Sequence, residues 1–289
     1  MKDLMLIFGQ WMVYPAIALV FMFGARCIEN RRTKFDDDAL VLEGNTAIAL
    51  RKAGIYLGLA IGIVGPLSTH TGGFFGDVWN LCLGGIFLVP ALFAAFFVNE
   101  YFMLSSVNND EALKKGNVAV GIVEFCSYVG SGLFLNGAFT NGNGIGDIGV
   151  SMVFFALGQA ALVAVYYAYA MYYRMTSQSS GARDLPEVIE QESDVPAAID
   201  VGGFLISFSF LLRASLVGDF TGWGASLGAF GCYCGFGLVL LLVYRLVVNK
   251  FFMPRVENGK LTDEPRNVAM ALMESALQIA VAIVISFSV

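Results

Sequence analysis

Two glutamates, each the only charge in a long apolar stretch, are the side chains best placed to do chemistry: Glu124 in Asn117-VAVGIVEFCSYVG and Glu274 in Asn267-VAMALMESALQIA. Each lies seven residues beyond an asparagine that can start a helix. At 1.5 Å per residue that is roughly 10 Å along the helix, beyond the reach of a glutamate extending toward water. Holding an ionisable group inside a membrane helix costs about 2.5–3.5 kcal/mol on insertion scales. Such a carboxylate is therefore protonated, paired with a base, or bound to a cation. The chemistry it offers is proton exchange or cation coordination, set against a plainer role as hydrogen-bonding glue between helices.

The two stretches belong to a set of four. Asn45-TAIALRKAGIYLGLAI, Asn117-VAVGIVEFCSYVGSGL, Pro196-AAIDVGGFLISFSFLL and Asn267-VAMALMESALQIAVAI align as a start position, small and β-branched residues, then a mostly apolar helix. In this register the seventh position reads Lys52, Glu124, Gly203, Glu274. Arg51 or Lys52 is at a depth suited to neutralising Glu124. In the second half Gly202 and Gly203 replace that basic pair and Asp200 adds an acid, so Glu274 is expected to lack a local countercharge. It would then be protonated by desolvation, line a wet cavity or bind a cation.

Other candidates are weaker. Arg213 is the one basic residue deep on the far side, in FSFLLRASLVGDF, and pairing with Asp219 or with backbone carbonyls is the expectation. A lone arginine is too little for a voltage sensor. Asp3, Asp77, Asp147 and Asp219 each sit near the start of an odd-numbered helix. An acid at a helix N-terminus is favourable by about 0.3–1 kcal/mol, and Asp77, Asp147 and Asp219 could also form an electronegative outer vestibule. His70 is the sole histidine and has no evident ligand partner, so no metal is expected. The five cysteines contain no C-x-x-C and read as packing residues. Residues 144–149 spell G-x-G-x-x-G, but no strand precedes them and a membrane helix follows, so a dinucleotide site is rejected.

The elements that must position these groups are membrane helices. With 57% hydrophobic and 14% charged residues, the chain departs from soluble composition. It offers eight apolar runs of the length that spans a bilayer, near 4–25, 46–68, 79–98, 117–138, 148–173, 197–217, 223–248 and 267–289. Pro15 and Pro90 fall mid-span, where a kink is expected. Gly54, Gly58 and Gly62 give the second helix a small-xxx-small face for close packing, and mark it as interior. Of the 17 Lys and Arg, all but Lys2 and Arg213 lie in or beside the connections after the odd-numbered helices. The positive-inside rule makes those connections cytoplasmic and both termini external. The basic residues around 26–34 follow the first apolar run and no A-x-A site comes after it, so that run reads as an anchor and not as a cleaved signal.

Asn249-KFFM matches Asn99-EYFM, and Asn267 matches Asn117, at one shared offset. The chain therefore reads as two parallel four-helix repeats, 1–143 and 144–289, related by a pseudo-two-fold axis along the membrane normal. The polar stretch 175–195, rich in Asp and Glu, is the inter-repeat linker, with a short surface helix or a docking segment for a cytoplasmic protein as its roles.

The repeated unit, Asn45-TAIALRKAG and Asn117-VAVGIVEFCSYVG, resembles the bacterial inner-membrane family known as domain of unknown function 350. Family members look like one four-helix unit; the likeness here extends over nearly the whole chain as two copies, with Pro196 and Asp200 departing from the pattern. The resemblance supplies no functional residues. Its genomic neighbourhood, with membrane-stress coat proteins and peptide- or polyamine-modifying ligases, implies an envelope-stress setting.

The expected object is an all-α polytopic bundle in a bacterial inner membrane. Its leading function is a channel or transporter for a proton or small cation, using Glu124 and Glu274 with Arg51, Lys52 and Arg213 as countercharges. The competing reading is a non-transporting scaffold that recruits cytoplasmic stress proteins. An intramembrane enzyme is disfavoured, because no H-E-x-x-H, serine–lysine pair or paired aspartate motif appears. No cofactor or nucleic acid is expected. A homo-oligomer is compatible with all of this.

Overall fold

The computed structural model of the protein describes residues 2–68, 73–105, 108–139, 145–176, 184–217, 220–252 and 267–288, all helical or in connections between helices. Among the described residues eight helices are long and apolar enough to cross a membrane: α1 (Lys2–Arg32), α3 (Thr46–Ile63), α4 (Gly73–Val98), α6 (Val118–Phe139), α7 (Ile145–Thr176), α9 (Val195–Leu216), α10 (Trp223–Phe251) and α11 (Val268–Ser288). Three six-residue helices, α2 (Asp37–Leu42), α5 (Asn109–Lys114) and α8 (Leu185–Glu190), precede α3, α6 and α9. They define a connector end of the bundle. Pro15 and Pro90 both lie inside continuous helices, and α4 runs on into a π-helical turn, Asn99–Met103. Ile145 to Gly149 form the first turns of α7, which removes the dinucleotide reading on structural grounds.

The four similar stretches become a row of parallel helices in which α3 packs on α6, α6 on α9 and α9 on α11. The outer helices lie across this row. α4 rests on α3 and α6, α7 on α6 and α9, and α10 on α9 and α11. A two-fold axis between the halves would pair α11 with α3 as closely as α6 with α9. Instead α3 and α11 are the two ends of the row, because the α6–α9 junction repeats the α3–α6 step.

Helix caps fix the register of these steps. The side-chain oxygen of Asn45 accepts from Ile48 N, that of Asn117 from Val120 N, and that of Asn267 from Met270 N, each three residues on. In the third helix the cap is Asp194, which accepts from Ala197 N, with Pro196 one residue inside the helix start. The sequence register at Pro196 is therefore corrected by two residues. Proline is favoured in the first turn, where its missing N–H is no loss, and it stood out as a start signal more than the aspartate did. With caps aligned, Arg51 matches Asp200 six residues in, and Lys52 and Glu124 match Val201 and Glu274 seven residues in.

The row is close-packed through small residues. A Cβ on Gly54 would meet the Phe125 backbone at 2.7 Å, one on Gly202 the Cys126 sulfur at 2.6 Å, and one on Gly203 would strike Ser275. Counted from the caps, these are the same pair of positions, nine and eight, at three successive interfaces. Gly65 against Asn136 and Gly137 against Arg213 repeat at positions twenty and nineteen. Lipid gives no hydrophobic drive for helix association, so backbone approach of this kind is what holds such a row together. The small-residue face of α3 packs closely as expected, with Gly54, Gly58 and Gly62 all buried, although α3 itself ends the row.

Candidate functional site

At the connector end of the first interface, Arg51 on α3 is buried and turned to α6. Its Nε and Nη2 donate to the two carboxylate oxygens of Glu124, Nη2 at 3.0 Å, while Nη1 donates to Asp110 on α5. A planar guanidinium satisfies two carboxylates at once in this way, which a lysine could not do. Asp110 also accepts from Arg32 Nη1 at 3.1 Å, and the Arg32 guanidinium lies 3.6 Å from the centre of the Phe96 ring. Lys52, one residue on, points elsewhere: its Nζ donates to Asp38 at 2.6 Å. Asp38 also accepts from Arg26 Nη2 at 2.7 Å. Of the two bases proposed for Glu124, the partner is Arg51.

Asp38 and Asp110 lie outside the spans and are tuned by these bases. Hydrogen bonds from Lys52 and Arg26 hold the Asp38 carboxyl well below the usual carboxylate range. Burial works to raise Asp110, but the charges of Arg51 and Arg32 outweigh it and leave the carboxyl lowered. Asp37 goes the other way: burial pushes its carboxyl up against the pull of Lys52 and Arg51.

Glu29 is the unexpected member. It lies in the last turns of α1, is 1% exposed, and neither carboxylate oxygen has a hydrogen-bond partner. The charges around it are Lys52, Arg51, Asp37 and Arg32. Thr33 closes this corner, its hydroxyl donating to the Glu29 backbone carbonyl and to Asp37, both at 3.2 Å.

The third interface carries the second cluster, and it corrects an expectation. Glu274 has a countercharge: Arg245 on α10, itself 1% exposed, places Nη2 2.8 Å from Glu274 Oε1 and 3.6 Å from Asp200 Oδ2. Its guanidinium lies 5.1 Å from the Tyr169 ring centre and 5.5 Å from that of Tyr172. Asp200 thus belongs to the site, facing Glu274 through a shared arginine. Arg245 escaped notice because it lies near a connection and was grouped with the basic residues there. The α6–α9 junction between the two clusters has Val123 and Val201 at the corresponding positions, both fully buried.

The remaining expectations separate. Arg213 Nε donates to Asn136 Oδ1 at 2.9 Å and the guanidinium sits 4.8 Å from the Phe287 ring centre, so its bond is to an amide on α6. Asp77 is buried and accepts from Tyr14 on α1 at 2.9 Å. The side chains of Asp3 and Asp147, together with Asp219 and His70, lie outside the described residues. Among the described residues no three His, Cys, Asp or Glu side chains are grouped to hold a metal. All five cysteines are free, with Cys126 buried against Gly202 and Cys27 and Cys232 on the exterior.

The linker is docked along its second half. Leu185, Val188 and Ile189 of α8 are buried, and Asn117 donates its amide to the carbonyls of Ile189 and Glu190 at 3.1 and 3.0 Å. Asn45 does the same to Leu113 and Lys114 of α5, at 2.9 and 3.2 Å. Between α5 and α8 runs a groove of about 520 Å³ lined by Glu111, Lys115, Gln191 and Ser193 among others. Residues 177–183 lie outside the described residues.

Glu29 and Asp110 were also missed by sequence reasoning. A usable signal existed for Glu29: Ala25, Glu29 and Thr33 are spaced by four and share one helix face, and all three are buried. No curated protein and no solved structure matches the chain. The model of the family described as Domain of Unknown Function (DUF350) matches residues 3–139 and again 143–289. The chain is accordingly a member of the DUF350 family, carrying two consecutive copies of its domain.

Proposed function

We propose that this integral membrane protein moves a proton or small monovalent cation, with Glu29 as the exchanging carboxylate and the Arg51–Glu124–Asp110 cluster as its fixed electrostatic frame. One observation carries the reading: Glu29 is buried with both oxygens free of hydrogen bonds, beside Arg51 and Lys52, which are engaged by other carboxylates. A buried carboxylate without a partner is costly unless it takes up a proton or a cation. Glu124 and Glu274 support this reading as anchors, since each has its own arginine. On this reading the membrane is a bacterial inner membrane, and the positive-inside rule favours an orientation with the connector end and Glu29 toward the cytoplasm and both termini outside.

The test is flux in proteoliposomes under an imposed potential, followed with a pH-sensitive dye and with Na⁺ and K⁺ indicators. Wild-type protein carries current for one of these ions, and Glu29→Gln abolishes it while the protein remains folded. Absence of flux for all three ions in the wild type, or full flux in Glu29→Gln, overturns the proposal.

The groove between α5 and α8 favours a second reading, a scaffold that binds a cytoplasmic partner of the envelope-stress response. Glu111→Lys together with Gln191→Lys would then release a partner captured by the wild type, without altering the melting temperature. Retention of that partner counts against it.

A further inference from the structure

The helix row has two unlike ends, and they match. At the first interface the earlier helix presents positions two, nine and thirteen after its cap, and the later helix receives them at positions four, eight, eleven and fifteen. The nine-to-eight contact recurs at all three interfaces, and the thirteen-to-fifteen contact recurs at the second as Gly130 against Ser209. Ala47 against Gly121, Gly54 against Phe125 and Gly58 against Tyr128 and Gly132 make up the first such interface. On α11 the presenting positions are Ala269, Ala276 and Ala280, and all three are exposed. On α3 the receiving positions are Ala49, Ala53, Tyr56 and Ala60, none of them fully buried. Both ends therefore offer small residues, with Ala276 and Ala53 at positions nine and eight, where all three internal interfaces pack closely.

A second observation comes from the outer helices. α4, α7 and α10 each lie against two consecutive helices of the row, whereas in the row α1 packs on α3. Phe8, Trp11, Met12, Leu19 and Phe23 of α1 are left exposed. The inner helix that would complete its seat is one placed before α3. The helix with the right presenting face is α11 of another copy. The cap amides agree with this. Asn45 and Asn117 each donate to the end of the short helix before the next row helix, and Asn267 at the end of the row would find α2 of the next copy, whose Leu42 is 89% exposed.

We infer that copies of this chain associate head to tail in the membrane, α11 of one packing on α3 of the next through the same interface that joins α3, α6, α9 and α11 within a copy. The contact is heterologous, so it builds a ring where the rotation closes and a row where it does not.

Cysteine cross-linking reads this geometry directly. In a chain with Cys27→Ser and Cys232→Ser, Ala276→Cys and Ala53→Cys are placed at positions nine and eight. Mild oxidation in native membranes should join Ala276→Cys copies to Ala53→Cys copies when the two are co-expressed, and give a ladder when one chain carries both. Neither single variant should link to itself. Native mass spectrometry of the wild type in nanodiscs should show two or more copies, reduced to one by Ala276→Trp but not by Val239→Trp, a control on the exposed face of α10. A single-copy mass for the wild type, or Ala276→Cys linking to itself as a two-fold dimer would, overturns the inference. Neither readout depends on ion flux, so the outcome is independent of the functional reading above.

Discussion

Arg51 on α3 and Asp200 on α9 occupy the same position, six residues after the helix cap, and carry opposite charges. Each faces a glutamate one position deeper on the next helix, Glu124 and Glu274. In the first half the cation is on the row itself. In the second half the row carries two acids, and the cation enters from the outer layer as Arg245, where the first half has the fully buried Ala95. Duplication kept the requirement for a neutralised glutamate and changed the helix that meets it.

That exchange places the neutralisation of the second cluster on Arg245. Arg245→Met removes the base that Asp200 and Glu274 share, and breaking a buried pair in this way costs about 3–5 kcal/mol. Thermal unfolding in detergent should show a large loss. The triple variant with Asp200→Asn and Glu274→Gln should recover most of it, because neutral amides in place of acids remove the stranded charge. A triple variant as unstable as Arg245→Met alone would mean that the arginine acts by packing on Tyr169 and Tyr172 and not by its charge.

Acid should loosen the connector end of the first half. Asp38 and Asp110 have carboxyls depressed in the folded protein. Their contribution is therefore fully present above the ordinary carboxylate pKa of about 4, and is lost as pH falls through the lower folded values. Asp37, raised by burial, has the opposite sign: it favours the folded state in its protonated form and opposes it when charged. Melting temperature measured from pH 7 downward should fall for the wild type, and Asp110→Asn should flatten that fall while lowering the plateau near neutrality.

The α3–α6 crossing should tolerate no side chain at Gly132, whose Cβ would fall on the backbone of Gly58. Gly132→Val should destabilise by more than the about 1–3 kcal/mol typical of overpacking, since backbone and not a flexible side chain stands in the way. Gly231, with nothing within 4 Å of its added Cβ, is the control, and Gly231→Val should change stability little. Chemical denaturation of both variants, compared with wild type, checks the difference.

Asn117 serves two elements at once. It caps α6 and ties down α8 through two carbonyls. Asn117→Ala should cost about 1–2 kcal/mol for the cap and expose the segment around α8 to proteolysis. Asn117→Asp, which keeps the cap oxygen and loses the amide donors, should restore the helix start but leave that segment cleavable.

The all-helical class, the number of spans and the duplication were legible in the sequence because lipid leaves a coarse signature: long apolar runs and glycines at fixed spacing. A base facing Glu124 was legible for the same reason, both being charges at a known depth in adjacent similar stretches, but the choice of Arg51 over Lys52 needed the structure. What escaped depended on three-dimensional proximity across unlike helices. Arg245 lies on an outer helix and meets Glu274 and Asp200 laterally. Glu29 was passed over because it lies in the basic stretch that follows the first apolar run, whereas α1 continues through that stretch to Arg32. The register at Asp194 failed because an aspartate cap and an asparagine cap perform the same task with different letters. The open row in place of a two-fold pair was hidden in the equal spacing of the four stretches, which describes a repeated step as well as it describes a pair of pairs.

In the proposed mechanism Glu29 exchanges a proton or cation while Glu124 and Glu274 stay locked in ion pairs. Infrared difference spectroscopy of the protein in lipid, stepping pH or cation concentration, measures this most directly. A carboxyl band should respond to the step, vanish in Glu29→Gln and persist in Glu124→Gln and Glu274→Gln. A responsive band that survives Glu29→Gln and disappears with either of the other two would contradict it.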